Sequence, residues 1–174
     1  MKSGRFNRLR LLPIIAATVI AVMTIAVESC NDIGCTDLRS SIPLAGFYSS
    51  STGSQVTIDS LLIGGVSAPH DSLLVDSGAR TSSLYLPFRA EKPSTTYFIK
   101  YVRKELDFPE LTDTIKFDYT STAYFASADC GAMFIYDIKS ISYTRHLIDS
   151  VAITDSLINN MDMERIKIFF RTSE

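Results

Sequence analysis

The sequence predicts an all-β fold: a single β-sandwich, immunoglobulin-like or related, of eight or nine short strands behind an N-terminal export signal. Three observations predict it. Short runs rich in β-branched and aromatic residues follow one another, with Gly, Pro, Asp and Ser between them. Several of these runs alternate apolar and polar residues with period two, the spacing of a strand that buries one face. No run carries a sustained helical stripe, and only the acidic turn INNMDM (158–163) has room for a short helix.

The elements follow in order. SQVTIDSLLI (54–63) ends at Gly64-Gly65, SLLVD (72–76) ends at Gly78, and SLYLPF (83–88) stops before the Pro-containing AEKPS. TTYFIKYVRK (95–104) places Tyr97, Ile99 and Tyr101 on one face. TIKFDY (114–119) sets Ile115, Phe117 and Tyr119 against Lys116 and Asp118, and TAYFAS (122–127) runs into the turn ADCG. AMFIYDIKSISY (132–143), IDSVAITDSL (148–157) and ERIKIFFR (164–171) complete the set. In the last of these, Ile166, Ile168 and Phe170 oppose Arg165, Lys167 and Arg171. The ADCGAMF turn resembles the Asp-x-Gly-x-Tyr corner of immunoglobulin-like domains, with Met133 in place of the tyrosine.

Ahead of the strands, residues 1–29 have the parts of a lipoprotein signal. Lys2, Arg5, Arg8 and Arg10 form a basic start, and Leu11 to Val27 are uncharged and almost wholly apolar. Seventeen residues are short for a membrane span, and Pro13 weakens the first turn of such a helix. Cys30 lies three residues beyond the apolar run with the small Ser29 before it, so it is the expected lipidated N-terminus. Val27-Glu28-Ser29-Cys30 resembles the relaxed lipoboxes of Bacteroidetes more than the usual Leu-Ala-Gly-Cys. Ordinary cleavage after Ser29 or Ala26, which leaves Cys30 a free thiol, is the alternative.

The expected division is therefore signal (1–29), a Ser-rich tether that leads into the domain (30–54), and sandwich (55–174). The IPLAGFY part of the tether is apolar enough to pack on the domain. The mature chain would hold 13 basic and 18 acidic residues, a net charge of −5. Nucleic acid, which needs a basic face, is excluded as an expected partner. With Cys30 acylated, Cys35 and Cys130 remain in an oxidising compartment, and a disulfide between them is expected.

Few motifs point to chemistry. LLVDSGA (73–79) resembles the active-site loop of aspartic proteases, which would make Asp76 a catalytic acid. No second Asp-Ser/Thr-Gly is present, so the acid pair would need a homodimer. An Asp-Ser-Gly turn at a strand end explains the same residues. His70 and His146 have no zinc-ligand spacing with the cysteines, no calcium loop appears, and neither metal nor cofactor is expected. Of Tyr97, Tyr101, Tyr119, Tyr124 and Tyr136, those exposed could stack on sugars; core packing accounts for most.

One pattern recurs. Asp-Ser/Thr-aliphatic occurs at Asp59-Ser60-Leu61, Asp71-Ser72-Leu73, Asp113-Thr114-Ile115, Asp149-Ser150-Val151 and Asp155-Ser156-Leu157. Each can be a turn leading into a strand. The triplet also resembles the O-glycosylation sequon of Bacteroidetes exported proteins, with Ser60, Ser72, Thr114, Ser150 and Ser156 as acceptors.

The segments SCNDIGCTD, IPLAGFYSS, APHDSLLVD, SLYLPF and ADCG together resemble a family of small Bacteroidetes lipoproteins of unknown function. That resemblance implies an exported lipoprotein and brings no established activity, substrate or catalytic residues. The expectation is a non-enzymatic, lipid-anchored binding or accessory module of the cell envelope, at the outer membrane on its periplasmic or surface face. Its partners would be the membrane through the anchor, and an envelope protein or glycan. A glycan-binding module is the alternative, and a dimeric hydrolase using Asp76 the more remote one.

Overall fold

The structure is a computed structural model and describes residues 40–69, 72–76, 79–128 and 131–172. Ten strands form two sheets, as the alternating runs predict. The first sheet has four strands: β1 (Leu44–Ser49), β4 (Ser83–Tyr85), β8 (Ile148–Ile153) and β10 (Glu164–Phe170), in the order β4-β1-β10-β8. The second contains β2 (Leu61–Gly65), β3 (Leu73–Val75), β5 (Ser94–Tyr101), β6 (Asp113–Ser127), β7 (Gly131–Tyr143) and β9 (Leu157–Ile158). Its order is β3-β2-β5-β6-β7-β9. All neighbours are antiparallel except β1 and β10.

The core is what the period-two alternation dictates. In β5 Thr95, Tyr97, Ile99 and Tyr101 are buried while the residues between them are half-buried, and Ile115, Phe117 and Tyr119 of β6 join them. From the other sheet come Ala45 and Phe47 of β1 with Ile166, Ile168 and Phe170 of β10. Phe47 meets Phe170 edge-on at 5.1 Å, a favoured aromatic geometry.

Several elements differ from expectation for local reasons. Leu44–Ser49, expected in the tether, is a sheet strand between β4 and β10, so the sandwich begins before residue 55. Its parallel partner lies more than a hundred residues downstream, and nothing local announces it. The 54–63 run is a strand only from Leu61. Ser60 takes the left-handed conformation (φ 59°), which interrupts it, and upstream only isolated bridges form at Gln55 and Ile58. Strand β2 then continues through Gly64-Gly65, because a side chain at Gly64 would collide with the Phe98 ring.

The two runs 114–119 and 122–127 are one continuous strand, β6. Between them stand Thr120 and Ser121, with no Gly or Pro to break pairing. On either side of the ADCG segment, whose Asp129 and Cys130 lie outside the described residues, β6 and β7 are antiparallel neighbours in one sheet, with Ser127 opposite Gly131. The 148–157 run divides into β8 and the two-residue β9. The INNMDM segment holds no helix; it carries the end of β9 and two bends. Arg165, expected to face outward, is buried, its guanidinium bonded to Asp155 and Asn159 from the segment before β10.

Candidate functional site

Two features stand at opposite ends of strand β6. At its start, Asp113 is fully buried (0% exposed). Its carboxylate accepts five hydrogen bonds. The Thr144 hydroxyl and His146 N–H reach Oδ1 at 2.7 and 2.9 Å. The Tyr101 hydroxyl, Leu147 N–H and Ile148 N–H reach Oδ2 at 2.8, 2.8 and 2.9 Å. Burial alone raises the Asp113 pKa. The donors from His146, Thr144, Ile148 and Tyr101 outweigh it and hold the carboxyl below its ordinary range. Burial, then the Asp113 charge and hydrogen bond, push the Tyr101 phenol above the usual tyrosine range.

Tyr101 also lines a cleft of about 310 Å³ at this end of the sandwich. Val56, Ile58, Leu61, Leu106 and Phe170 supply apolar walls, and Arg103 and Arg171 stand in its lining. Arg171 is engaged with the Arg145 and His146 carbonyls and with Asp149. Tyr101 and Leu147 connect cleft and carboxylate, but Asp113 is sealed behind them. A carboxylate that accepts five hydrogen bonds and has no exposure holds three loop amides in place; it is not placed to meet a substrate. The signal that could have marked it is an Asp opening a strand whose inward positions are otherwise apolar.

The far end of β6 is different in kind. Among the described residues, β6 pairs with β5 only as far as Asp118, and β7 pairs with β9 only at Tyr136 and Asp137. Beyond those points the two strands pair only with each other, forming a two-stranded arm. Its register places Ala123 opposite Phe134, Tyr124 opposite Met133 and Phe125 opposite Ala132. Phe125 is 67% exposed, Tyr124 45% and Phe134 43%. The arm is rooted in stacked rings: Phe88 lies parallel to Tyr119 at 4.4 Å, and Tyr136 meets both edge-on at 5.5 and 5.3 Å. Local patterning hides the arm, because it reads as two short strands where one long strand leaves its sheet.

The other expected sites are dispersed. Cys30, Cys35 and Cys130, with His70 and Asp71, lie outside the described residues. Asp76 is exposed at the end of edge strand β3, and its carbonyl accepts the Ala79 N–H at 2.9 Å, closing a turn. Ser72 and Ser156 are exposed beside short strands. Ser60 is half-buried in the cleft lining, and Thr114 and Ser150 are half-buried within β6 and β8. Of the five tyrosines, Tyr97, Tyr101, Tyr119 and Tyr136 are buried, and Tyr124 alone presents its ring. Among the described residues no group of His, Cys, Asp and Glu could hold a metal ion, and no helix is long and apolar enough to cross a membrane.

The family model of a family of unknown function, DUF6452, matches residues 60–170 of the 174-residue chain. The chain belongs to the DUF6452 family. The match spans Asp113, its five donors and the whole arm, so both features lie within the DUF6452 region. No curated protein and no solved structure matches the chain.

Proposed function

We propose that this DUF6452 protein is an exported, lipid-anchored and non-enzymatic binding or accessory module of the bacterial cell envelope, of the Bacteroidetes lipoprotein type its segments resemble. Residues 1–29 act as the signal, Cys30 becomes the acylated N-terminus, and the acyl chains hold the domain at the outer membrane. Cys35 and Cys130 form a staple that closes a long loop, contributing about 4–5 kcal/mol in the chain-entropy model.

The observation that carries the binding half of this reading is the arm. The sandwich presents Tyr124, Phe125 and Phe134 on a two-stranded arm whose Met133 is buried while these three rings are exposed. Exposed aromatic residues grouped on one projection mark a contact surface. The test is expression of the full chain with Tyr124, Phe125 and Phe134 changed together to Ser. The expected result is an envelope defect equal to loss of the protein, with normal abundance and export. Full function of that variant contradicts the reading.

A second reading, a glycan-binding module, rests on the same three rings, since sugars stack on exposed aromatic faces. Its expected result is retention on purified cell-wall or capsular polysaccharide that the same triple change abolishes.

A further inference from the structure

We propose that the β6–β7 arm is a membrane-contact device: Tyr124, Phe125 and Phe134 seat in the headgroup–acyl boundary of the bilayer that holds the lipid anchor. This rests on the reading of Cys30 as the anchor.

Charge is the first support. Between Asp118 and Asp137 the only charged residue is Asp129, in a chain with 21% charged residues. The exposed apolar residues elsewhere, such as Val66, Leu73, Met161 and Met163, stand singly or in pairs near Arg, Asp or Glu. The arm combines three exposed rings with Thr, Ser and Ala, so entering a bilayer surface costs it little desolvation of charge. Tyr and Phe are suited to that boundary, where a ring finds acyl chains and a phenol finds water.

The second support is where the chain arrives. The described residues begin at Ser40, and the Ser41 hydroxyl lies 3.8 Å from Met133 Sδ in the arm's β7 strand. Ser40, Ser41, Met133, Phe134 and Tyr136 share one small cavity there. Nine residues lie between Cys30 and Ser40, ten steps of chain with a reach of at most about 35 Å. The described chain thus enters the sandwich beside the arm, the side nearest along the chain to an anchor at Cys30.

The depth is bounded by the backbone. Beyond the sheet, the arm's outer edges have no strand partners among the described residues, and unpaired amides are costly in hydrocarbon. The arm accordingly lies about 5–10 Å deep in the interface and does not span it. Retention belongs to the acyl chains; the arm fixes the orientation of the sandwich.

The chain contains no Trp, so one substitution gives a clean probe. The full chain carrying Phe125→Trp is purified from membranes and reconstituted into phosphatidylethanolamine–phosphatidylglycerol vesicles, with Phe108→Trp as the control. Phe108 is exposed in the loop between β5 and β6, away from the arm. The expected result is blue-shifted indole emission from the Phe125→Trp chain, quenched at least about twofold by lipids brominated on the acyl chain, with the control unquenched. Acylated, vesicle-retained protein whose Phe125→Trp emission is unquenched overturns the arm's role and leaves the anchor intact. The same result with shielding on addition of cell-wall polysaccharide or an envelope protein assigns the arm to that partner instead. Mature protein without acyl mass on Cys30 overturns the anchor and this inference with it.

Discussion

The Tyr101 hydroxyl donates to the Asp113 carboxylate at 2.8 Å, joining the lining of the cleft to the loop that precedes β8. One carboxylate thus links β5, β6 and the 144–148 segment. The same loop feeds the four-stranded sheet, so Asp113 connects the two sheets at one end of the sandwich.

Removing that carboxylate leaves three loop amides and two hydroxyls without their acceptor in the core. Asp113→Ala is expected to destabilise the fold by about 3–5 kcal/mol, measured by urea denaturation. Asp113→Asn, which turns an amide NH2 toward donors, is expected to cost nearly as much. Tyr101→Phe removes one bond and about 1–2 kcal/mol.

Acid should act through the same group. The folded Asp113 carboxyl lies below its ordinary range, so its contribution is present at neutral pH and is lost as pH falls below about 4. Asp118 and Asp137, held low by Lys116 and Lys139, shift in the same direction but are exposed and screened. Urea midpoints at pH 7 and pH 3 should therefore differ more for the natural chain than for Asp113→Asn. Equal differences would remove Asp113 as the source.

Strand β2 depends on the absence of a side chain at Gly64, where a Cβ would lie 2.7 Å from the Phe98 ring. Gly64→Ala should cost about 1–3 kcal/mol by overpacking. Combining it with Phe98→Leu should recover part of that loss, which a double-mutant cycle of denaturation energies measures.

The arm should be separable from the fold. Its rings are exposed, so Tyr124→Ser, Phe125→Ser and Phe134→Ser together should change unfolding free energy by no more than about 1 kcal/mol. A large loss would mean that the arm is a structural element.

What could be read from the chain follows the range of the interactions. Alternation in 95–101 and 164–170 marks β5 and β10 because burial of one strand face is a local pattern. Asp113 sits in a recurrent Asp-Thr-aliphatic triplet, and its role arises from amides 33–35 residues away. The β1–β10 pairing is likewise set by distant partners. The arm escapes local reading because β-forming residues continue past Asp118 with no Gly or Pro before the ADCG turn; what changes there is the loss of β5 as a neighbour. The readings of Cys30, Cys35 and Cys130 rest on an expected compartment and on sequence position, so chemistry has to test them.

The intact mass of the protein isolated from the membrane fraction tests the lipid-anchored reading most directly. The predicted species begins at Cys30 and is heavier than residues 30–174 by a diacylglyceryl group, with a further acyl chain where the amine is modified. A Cys30→Ser variant should carry no acyl mass. A chain that retains residues 1–29, or one that carries a free thiol at Cys30, would contradict the reading.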